Sequence, residues 1–273
     1  MIKEVLCDIE GTLVTGNGKI HPYDFKLNKF SLNKVMKNKR VGVITGRELS
    51  GYEESALERY LQFGLNGVVI GENGAVILDN GWMFDDVYSE YQNLENHIMK
   101  IGGLYNVENV KETFRTNGFL ERMKFDDRKK HMVTLYMKDF PFIGFSDLTL
   151  YNKAKEMLPN LEVTYSSASI DVSTKGTNKG NAVLHYAKMK GLKLNEIAVF
   201  GDSKNDESMF DVVLKNGGLG FFVGKNEEMG DWVRRFVGGY SDKGGLLATR
   251  KYLNQLDNLE EFSKYRQFMR DNY

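Results

Sequence analysis

The sequence is poor in the features that mark a secreted, membrane-bound or nucleic-acid-binding protein. It contains a single cysteine, so no internal disulfide can form, and this favours a reducing cytoplasm. No apolar run approaches the length of a membrane span. Lys plus Arg and Asp plus Glu both number 37, so net charge indicates neither a nucleic acid nor an anionic membrane as a partner. We therefore expect a soluble, cytoplasmic protein.

The first predicted strand ends in carboxylates. Residues 2 to 8 are mostly β-branched or apolar, as in a buried strand of a parallel sheet, and the chain must turn at Gly11. Alternation along the strand puts Asp8 and Glu10 on one side and Cys7 on the other, where it is a structural residue. Ligands of open α/β sheets bind beyond the carboxyl ends of the strands, so Asp8 and Glu10 lie where chemistry is usually done.

A second acidic cluster follows a second apolar strand. Residues 197–201 lead into Asp202, Asn205 and Asp206. Two such clusters, far apart in the sequence, indicate one hard-cation site at a shared sheet edge. Mg²⁺ is typically held by one or two carboxylates plus a substrate phosphate. The four histidines show no ligand spacing, which argues against zinc.

Two further segments between these clusters suit a phosphate. Thr45, Gly46 and Arg47 end another predicted strand, and Lys179 and Gly180 open a predicted helix. A hydroxyl, a lysine and a metal together form a suitable cradle for phosphate charge.

These segments resemble, in the usual order, the four motifs of the haloacid dehalogenase superfamily of phosphotransferases. Residues 8–12 (DIEGT) resemble its first motif, 45–47 (TGR) the second, 179–180 (KG) the third and 201–206 (GDSKND) the fourth. The long insertion before the third motif is similar to that of the Cof-type branch, subclass IIB, whose members carry an α/β cap there. The Gly-Glu-Asn-Gly block at 71–74 also recurs in that branch, and the resemblance covers essentially the whole chain.

The resemblance implies a Mg²⁺-dependent phosphomonoester hydrolase acting on a small phosphorylated metabolite. Asp8 would be the nucleophile, and its attack on phosphorus would give an aspartyl-phosphate that splits one difficult displacement into two. Glu10 stands where most phosphatases of the superfamily have Asp, a departure that resembles the enolase-phosphatase branch. Its carboxyl group keeps the general acid/base function but delivers the proton from a shifted position.

The other expected site residues bind phosphate or metal. Lys179 would offset the charge on Asp8 and the phosphoryl group, with Lys175 as a competitor, and Asp206 would act through water or by orienting Lys179. Thr45 and Lys179 join Asp8 and Glu10 as catalytic residues. The expected substrate-binding residues are Thr45, Gly46, Arg47, Lys179 and Asn205, and the expected Mg²⁺ ligands are Asp8, Glu10 (through its backbone carbonyl), Asp202 and Asp206.

The pattern of elements predicts an α/β fold, a doubly wound parallel-sheet (Rossmann-like) core with an inserted α/β cap. The core would comprise residues 1–81 and 175–273, and the cap residues 82–174. Helical spacing covers residues 24–37, with a buried side made of Phe25, Leu27, Phe30 and Val35, and also residues 50–63. Residues 67–78 read as strand, turn and strand.

Within the cap, helices are predicted near residues 87–104 and 145–158, and strands at 131–137 and on either side of 166–168. The charged run at 124–130 is typical of a solvated face, and its cations could also attract an anionic substrate.

Several functions remain open at this point. The resemblance to the Cof-type branch allows phosphoglycolate, sugar phosphates and mannosyl-3-phosphoglycerate as substrates, and the short chain and the Gly-Glu-Asn-Gly block favour a phosphoglycolate-like substrate or a sugar phosphate. A phosphomutase related to phosphomannomutases would share the four motifs, and Glu10 keeps this alternative open because impaired water activation favours transfer over hydrolysis. A binding module without catalysis is the third interpretation. The sequence indicates nothing about the oligomeric state.

Overall fold

The chain forms two sheets flanked by helices. The computed structural model describes residues 1–15, 20–49, 55–79, 82–83, 107–129, 131–138, 148–165, 169–224 and 245–272. Its elements in chain order are β1 (Glu4–Cys7), α1 (Pro22–Val35), β2 (Arg40–Ile44), α2 (Ala56–Phe63), β3 (Val68–Gly71), β4 (Val76–Asp79), β5 (Trp82–Met83), α3 (Val107–Thr116), β6 (Met123–Phe125), β7 (Val133–Met137), α4 (Thr149–Met157), β8 (Leu161–Tyr165), β9 (Ser169–Thr174), α5 (Lys179–Lys190), β10 (Ile197–Gly201), α6 (Glu207–Lys215), β11 (Leu219–Phe222) and α7 (Gly245–Asn272).

The larger sheet has the strand order β11-β10-β1-β2-β3-β4-β5. The first five strands run parallel, whereas β4 and β5 add an antiparallel margin. Cys7 of β1 lies opposite Phe200 of β10 on one side and Val43 of β2 on the other. The residues that follow β1, β2 and β10 therefore meet at one edge of the sheet.

Helices cover both faces of this sheet, as a doubly wound fold requires. The alternation along β1 shows the division: Cys7 packs with the helices α1, α2 and α7, and Leu6 packs with α5 and α6. Cys7 is fully buried, as the sequence predicted. The predicted α/β fold class is confirmed.

The predicted buried side of α1 was wrong at Phe30. This ring is 70% exposed, whereas Asn28 and Leu32 are buried. Residues 28, 32 and 35 share one face at 3.6 residues per turn, and Phe30 lies on the opposite face. A polar residue can occupy the buried face because the Asn28 amide donates a hydrogen bond to the carbonyl of Leu13 (3.0 Å).

The structure contains the elements predicted at residues 50–63 and 67–78, with limits that differ from the predicted ones. α2 begins after Ser55, whose hydroxyl accepts a hydrogen bond from the Glu58 amide and caps the helix; residues 50–54 lie outside the described residues. The strand, turn and strand near residue 70 are β3 and β4, joined by a turn in which Glu72 and Asn73 both have positive φ, 49° and 54°.

The cap consists of a four-stranded antiparallel sheet, β6-β7-β9-β8, with α3 and α4 packed on its apolar side. The predicted strands at 131–137 and around 166–168 correspond to β7, β8 and β9. The predicted helix at 145–158 is α4 over its described part, and the one at 87–104 lies outside the described residues. β5 at residues 82–83 still pairs with β4, so the larger sheet extends past the predicted first cap residue; the domain limits stay a prediction.

Over its described part, residues 124–129, the predicted charged run is not a uniformly solvated face. Asp126 and Lys129 are buried, whereas Lys124 is exposed and Arg128 is partly exposed. Among the described residues, no helix is long and apolar enough to cross a membrane.

Candidate active site

Asp8 lies directly beyond β1, at the sheet edge where three parallel strands end. Its amide donates to the carbonyl of Phe200 (2.8 Å), which continues the pairing of β1 with β10 by one residue. Its side chain is on the same side of the sheet as Leu6, facing the start of α5. The strand geometry therefore presents a nearly buried carboxylate to the first residue of a helix.

Lys179 is that first residue, and its side chain is fully buried. Its ammonium group donates to Asp8 Oδ1 at 2.8 Å and to Asp206 Oδ1 at 2.6 Å. Lys175, the predicted competitor, is exposed. The structure thus places Lys179, and not Lys175, against Asp8.

Asp206 is also fully buried, and both of its carboxylate oxygens are engaged. Oδ2 accepts hydrogen bonds from the amides of Asp202 and Ser203, each at 3.0 Å, while Oδ1 holds Lys179. This arrangement favours orientation of Lys179 over direct metal binding. It also shapes the turn after β10 from which Asp202 projects.

Asp202 and Asp8 approach each other across the sheet edge. Single oxygens of Asp8, Asp202 and Asp206 all lie within 4.8 Å of one another. The chain passes so close at Gly11 (φ 75°) that a Cβ there would lie 1.9 Å from Asp202 Oδ2, so a side chain at this position would displace the Asp202 carboxylate and strain the backbone. Thr12 Oγ1 lies 3.5 Å from Asp202 Oδ1.

Glu10 is held on the other side of the site. Its carboxylate forms a salt bridge with the Arg47 guanidinium, and its second oxygen lies 3.5 Å from the Thr45 hydroxyl. Thr45 is fully buried, and its hydroxyl also accepts a hydrogen bond from the Arg47 amide (3.2 Å). The residues of the first two motifs therefore form one hydrogen-bonded group.

Burial and the neighbouring charges shift the pKa values of both Asp8 and Lys179 upward. Burial raises the pKa of Asp8 to about 7, with Lys179 opposing the shift and Asp206 and Glu10 adding to it. Burial alone would lower the pKa of Lys179, but Asp206 and Asp8 outweigh it and hold that pKa above its usual value. Lys179 consequently carries a fixed positive charge beside the carboxylate of Asp8.

The residues present fit a divalent cation. Carboxylate oxygens of Asp8, Asp202 and Asp206 lie close enough together for one ion to contact them. Carboxylate oxygens are the ligands that Mg²⁺ prefers, and a cation beside Asp8 would favour its ionised form.

A cavity of about 620 Å³ opens between the start of α5 and the cap, beside this site; Asp8, Glu10 and Asp202 are not among the residues that line it. Lys179 and Asn205 line it from the core, and the Ser203 hydroxyl lies 2.5 Å from Asn205 Oδ1. On the cap side the lining includes Tyr151, Glu162, Thr164 and Tyr165. Asn205 is thus positioned at the cavity wall, as a phosphate contact would require.

A buried polar group that sequence reasoning missed joins the cap to this region. Asp171 of β9 contacts Asn73 of the core, and within the cap it also contacts Thr134 and Lys129. A sequence signal was present, because Asp171 is the one acidic residue of β9 and lies between the apolar residues Ile170 and Val172.

Comparison with known proteins identifies the class. The model of the haloacid dehalogenase-like hydrolase family matches residues 5–246, and the chain belongs to this family. The predicted resemblance to its Cof-type phosphatases is confirmed, and the protein is a phosphatase of this family acting on phosphorylated small molecules.

Individual relatives agree with this assignment. The chain is 29% identical over 219 residues to a phosphoglycolate phosphatase of Thermoplasma volcanium, covering 78% of this chain and 82% of the relative. Its fold is shared with a crystal structure of a Thermoplasma acidophilum protein (TM-score 0.65, 18% identity, 96% and 99% covered). It is also shared with the sucrose-phosphatase of Synechocystis, solved with sucrose and phosphate (TM-score 0.60, 20% identity, 83% and 86% covered).

Proposed function

We propose that the protein is a Mg²⁺-dependent phosphomonoester hydrolase that acts through an aspartyl-phosphate at Asp8. The observation that carries the proposal is the position of Asp8, a nearly buried carboxylate held 2.8 Å from the fully buried ammonium of Lys179. Such a pair keeps a carboxylate nucleophile in place and offers positive charge where phosphoryl charge develops.

In the first step, an Asp8 carboxylate oxygen attacks phosphorus, and the bond from phosphorus to the ester oxygen breaks. Glu10 donates a proton to the departing alkoxide, so an alcohol leaves. Thr45 donates a hydrogen bond to a non-bridging phosphoryl oxygen once its hydroxyl turns from Glu10, and Lys179 balances the added negative charge.

In the second step, Glu10, now ionised, takes a proton from water, and the oxygen attacks phosphorus. The bond between phosphorus and Asp8 breaks, which releases inorganic phosphate and restores the free carboxylate. The Arg47 guanidinium orients Glu10 throughout, because it contacts the Glu10 carboxylate directly.

The metal would be held by the carboxylates of Asp8 and Asp202 and by the backbone carbonyl of Glu10. When bound, Mg²⁺ would offset charge on the phosphoryl oxygens during both displacements. Asp206 would keep Lys179 in place beside it, since both of its oxygens are engaged by protein donors.

The substrate we propose is phosphoglycolate-like or a sugar phosphate. A relative is named phosphoglycolate phosphatase, and a structural neighbour is a sucrose-phosphatase. The cavity of about 620 Å³ suits a small metabolite, and Glu162 and Thr164 in its wall can accept hydrogen bonds from hydroxyl groups.

The test is phosphate release from a panel of phosphoglycolate, hexose phosphates and mannosyl-3-phosphoglycerate, with and without Mg²⁺. Asp8→Asn should abolish turnover and prevent labelling of the protein by a radioactive phosphoryl group, because it removes the nucleophile and nearly preserves shape. Asp211→Asn, an exposed change in α6, is the matched control and should retain activity.

Two outcomes would contradict the proposal. Activity of Asp8→Asn above roughly a hundredth of wild type would remove Asp8 from the nucleophilic role. Formation of an isomeric hexose phosphate in place of inorganic phosphate would identify a mutase instead of a hydrolase.

A further inference from the structure

The turn at Glu72 and Asn73 is hydrogen-bonded to the loop that carries Thr45 and Arg47. The Asn73 amide donates to the carbonyl of Thr45 (2.9 Å), and the Glu72 amide donates to the carbonyl of Arg47 (2.7 Å). The Asn73 side chain also packs over Gly46, where a Cβ would lie 3.2 Å from Asn73 Oδ1. This turn therefore supports the backbone of the whole second motif.

The same two residues are held from the cap. Glu72 Oε2 accepts a hydrogen bond from the His131 amide (2.8 Å), and Asn73 Nδ2 donates to Asp171 Oδ2 (3.3 Å). Asn73 and Asp171 are both nearly buried, so solvent does not weaken this contact.

Asp171 is itself fixed by two donors within the cap. Its Oδ1 accepts from the Thr134 hydroxyl at 2.5 Å and lies 3.5 Å from the Lys129 ammonium. Lys129 is buried and also donates to Thr134 (2.9 Å), and the pKa of Lys129 is raised because Asp171 and neighbouring acids outweigh the effect of burial. The carboxylate of Asp171 thus has a defined orientation, with one oxygen turned to the core.

The backbone of the turn is held in an unfavourable conformation at Glu72. Both Glu72 and Asn73 have positive φ, which asparagine adopts readily but glutamate does not, and a strained residue such as Glu72 persists where the surroundings hold it. The hydrogen bonds from the cap are part of those surroundings.

We propose that Asp171 is a positioning residue for the phosphate-binding loop of the core and that it acts through Asn73. Asp171 of the cap orients the side-chain amide of Asn73 and so fixes the position of this residue. The backbone amide of Asn73 then holds the Thr45 carbonyl. This places the Thr45 hydroxyl and Arg47 beside Glu10. The inference rests on the proposed hydrolase function, since Thr45 and Arg47 matter through their contacts with phosphate and Glu10.

The test exchanges the amide of Asn73 and the carboxylate of Asp171 between the two positions. Asn73→Asp sets two carboxylates against each other, and Asp171→Asn removes the charge that fixes the amide. The double variant Asn73→Asp/Asp171→Asn restores one amide facing one carboxylate. Its introduced amide at position 171 can still accept from Thr134 and Lys129 through its oxygen.

We expect activity to depend on the contact between residues 73 and 171. For Asn73→Asp we expect kcat to fall about tenfold or more with a small change in KM, and we expect the loss to grow as pH rises, because a proton shared between the two carboxylates would restore the contact. The double variant should be several-fold more active than Asn73→Asp, a non-additivity that independent structural damage does not produce. Recovery is partial because one carboxylate oxygen would remain buried over Gly46.

A second measurement is independent of catalysis. Hydrogen exchange at the amides of residues 72 and 73 should quicken in both single variants and slow again in the double variant. Two substitutions at exposed positions serve as matched controls: Asp127→Asn in the cap and Asn38→Asp in the domain of the larger sheet. Both should leave hydrogen exchange and kcat unchanged.

The outcomes separate the two proposals. If no form of the protein hydrolyses any ester, the proposed function fails, while exchange still reports on the contact. Unchanged exchange in both single variants would overturn the inference, as would altered exchange with unchanged kcat in an active enzyme. If Asn73→Asp does not fold, Asp171→Asn and the double variant carry the test.

Discussion

Among single residues, Glu10 most directly determines how this site would handle protons. Its carboxylate is one methylene further from the backbone than the usual Asp, and the structure shows that this length brings it to Arg47 and Thr45. The longer side chain of Glu10 therefore has defined contacts with Arg47 and Thr45. That observation favours a site adapted to Glu over one in which Glu merely substitutes for Asp.

Glu10→Gln should keep the backbone carbonyl for the metal and lose proton transfer. We expect the rate on an alkyl phosphate to fall on the order of 10²–10⁴-fold. The loss in the first step should be smaller for p-nitrophenyl phosphate, because a good leaving group needs little protonation. Steady-state and rapid-quench kinetics on both substrates measure the two steps.

Glu10→Asp serves as the geometric control. A loss of activity would show that the site is built around the longer side chain and its contact with Arg47, whereas improved turnover would show that Glu is a compromise. Full activity of Glu10→Gln on an alkyl phosphate would exclude the acid/base role.

Among single elements, β1 carries a second buried carboxylate at its amino end. Glu4 is 1% exposed and lies near Arg40, and the Asp79, Lys190 and Tyr186 side chains are close by. Burial raises the pKa of Glu4 from 4.5 to about 7, although Arg40 opposes the shift. A group whose pKa is raised on folding stabilises the fold below its unfolded value, and this contribution is lost as pH rises through the folded value.

Glu4→Gln should therefore flatten the pH dependence of stability. Between pH 5 and 8, the wild-type protein should lose on the order of 3 kcal/mol more unfolding free energy than the variant. Denaturant unfolding at both pH values measures the difference, with Glu108→Gln as an exposed control that should behave like wild type. Equal pH dependence in wild type and Glu4→Gln would contradict the assignment.

At the scale of the whole molecule, the cluster of carboxylates exists because β1 and β10 are neighbours. Asp8 and Asp202 are far apart along the chain, yet the parallel pairing of these strands brings oxygens of both into one group with Asp206. Carboxylates that follow separate strands are brought together by the pairing of those strands in the sheet, so the cluster does not depend on residues that are adjacent in the sequence.

Asp202→Ala should consequently act through the metal. It removes a carboxylate ligand, so the Mg²⁺ concentration needed for half-maximal activity should rise at least about tenfold, while the fold is kept. Titration of activity with Mg²⁺, and calorimetric binding of Mg²⁺ alone, measure the effect. Asp211→Asn is the control, and an unchanged Mg²⁺ requirement for Asp202→Ala would show that the ligand lies elsewhere.

Much of the fold could be predicted because its determinants are local. Apolar strands ending in carboxylates or hydroxyls, and the order of the four motifs, predicted the fold class and the family correctly, and they predicted residues that the structure brings to one sheet edge. The prediction was wrong at Phe30, because the identity of the buried side of α1 depends on Asn28 meeting the carbonyl of Leu13. A polar residue on a buried face is not visible in a hydrophobic pattern.

The sequence by itself determined which side chains stand at the ends of the strands, since alternation assigns each residue of a strand to a face. Only the tertiary structure decided which of them touch. The contact of Lys179 with Asp8 follows from how α5 packs on the sheet. The same packing decides that Lys179, and not Lys175, lies beside Asp8. The contact of Asn73 with Asp171 depends on the position of the cap, because 98 residues separate the two along the chain and no local pattern specifies such a pair.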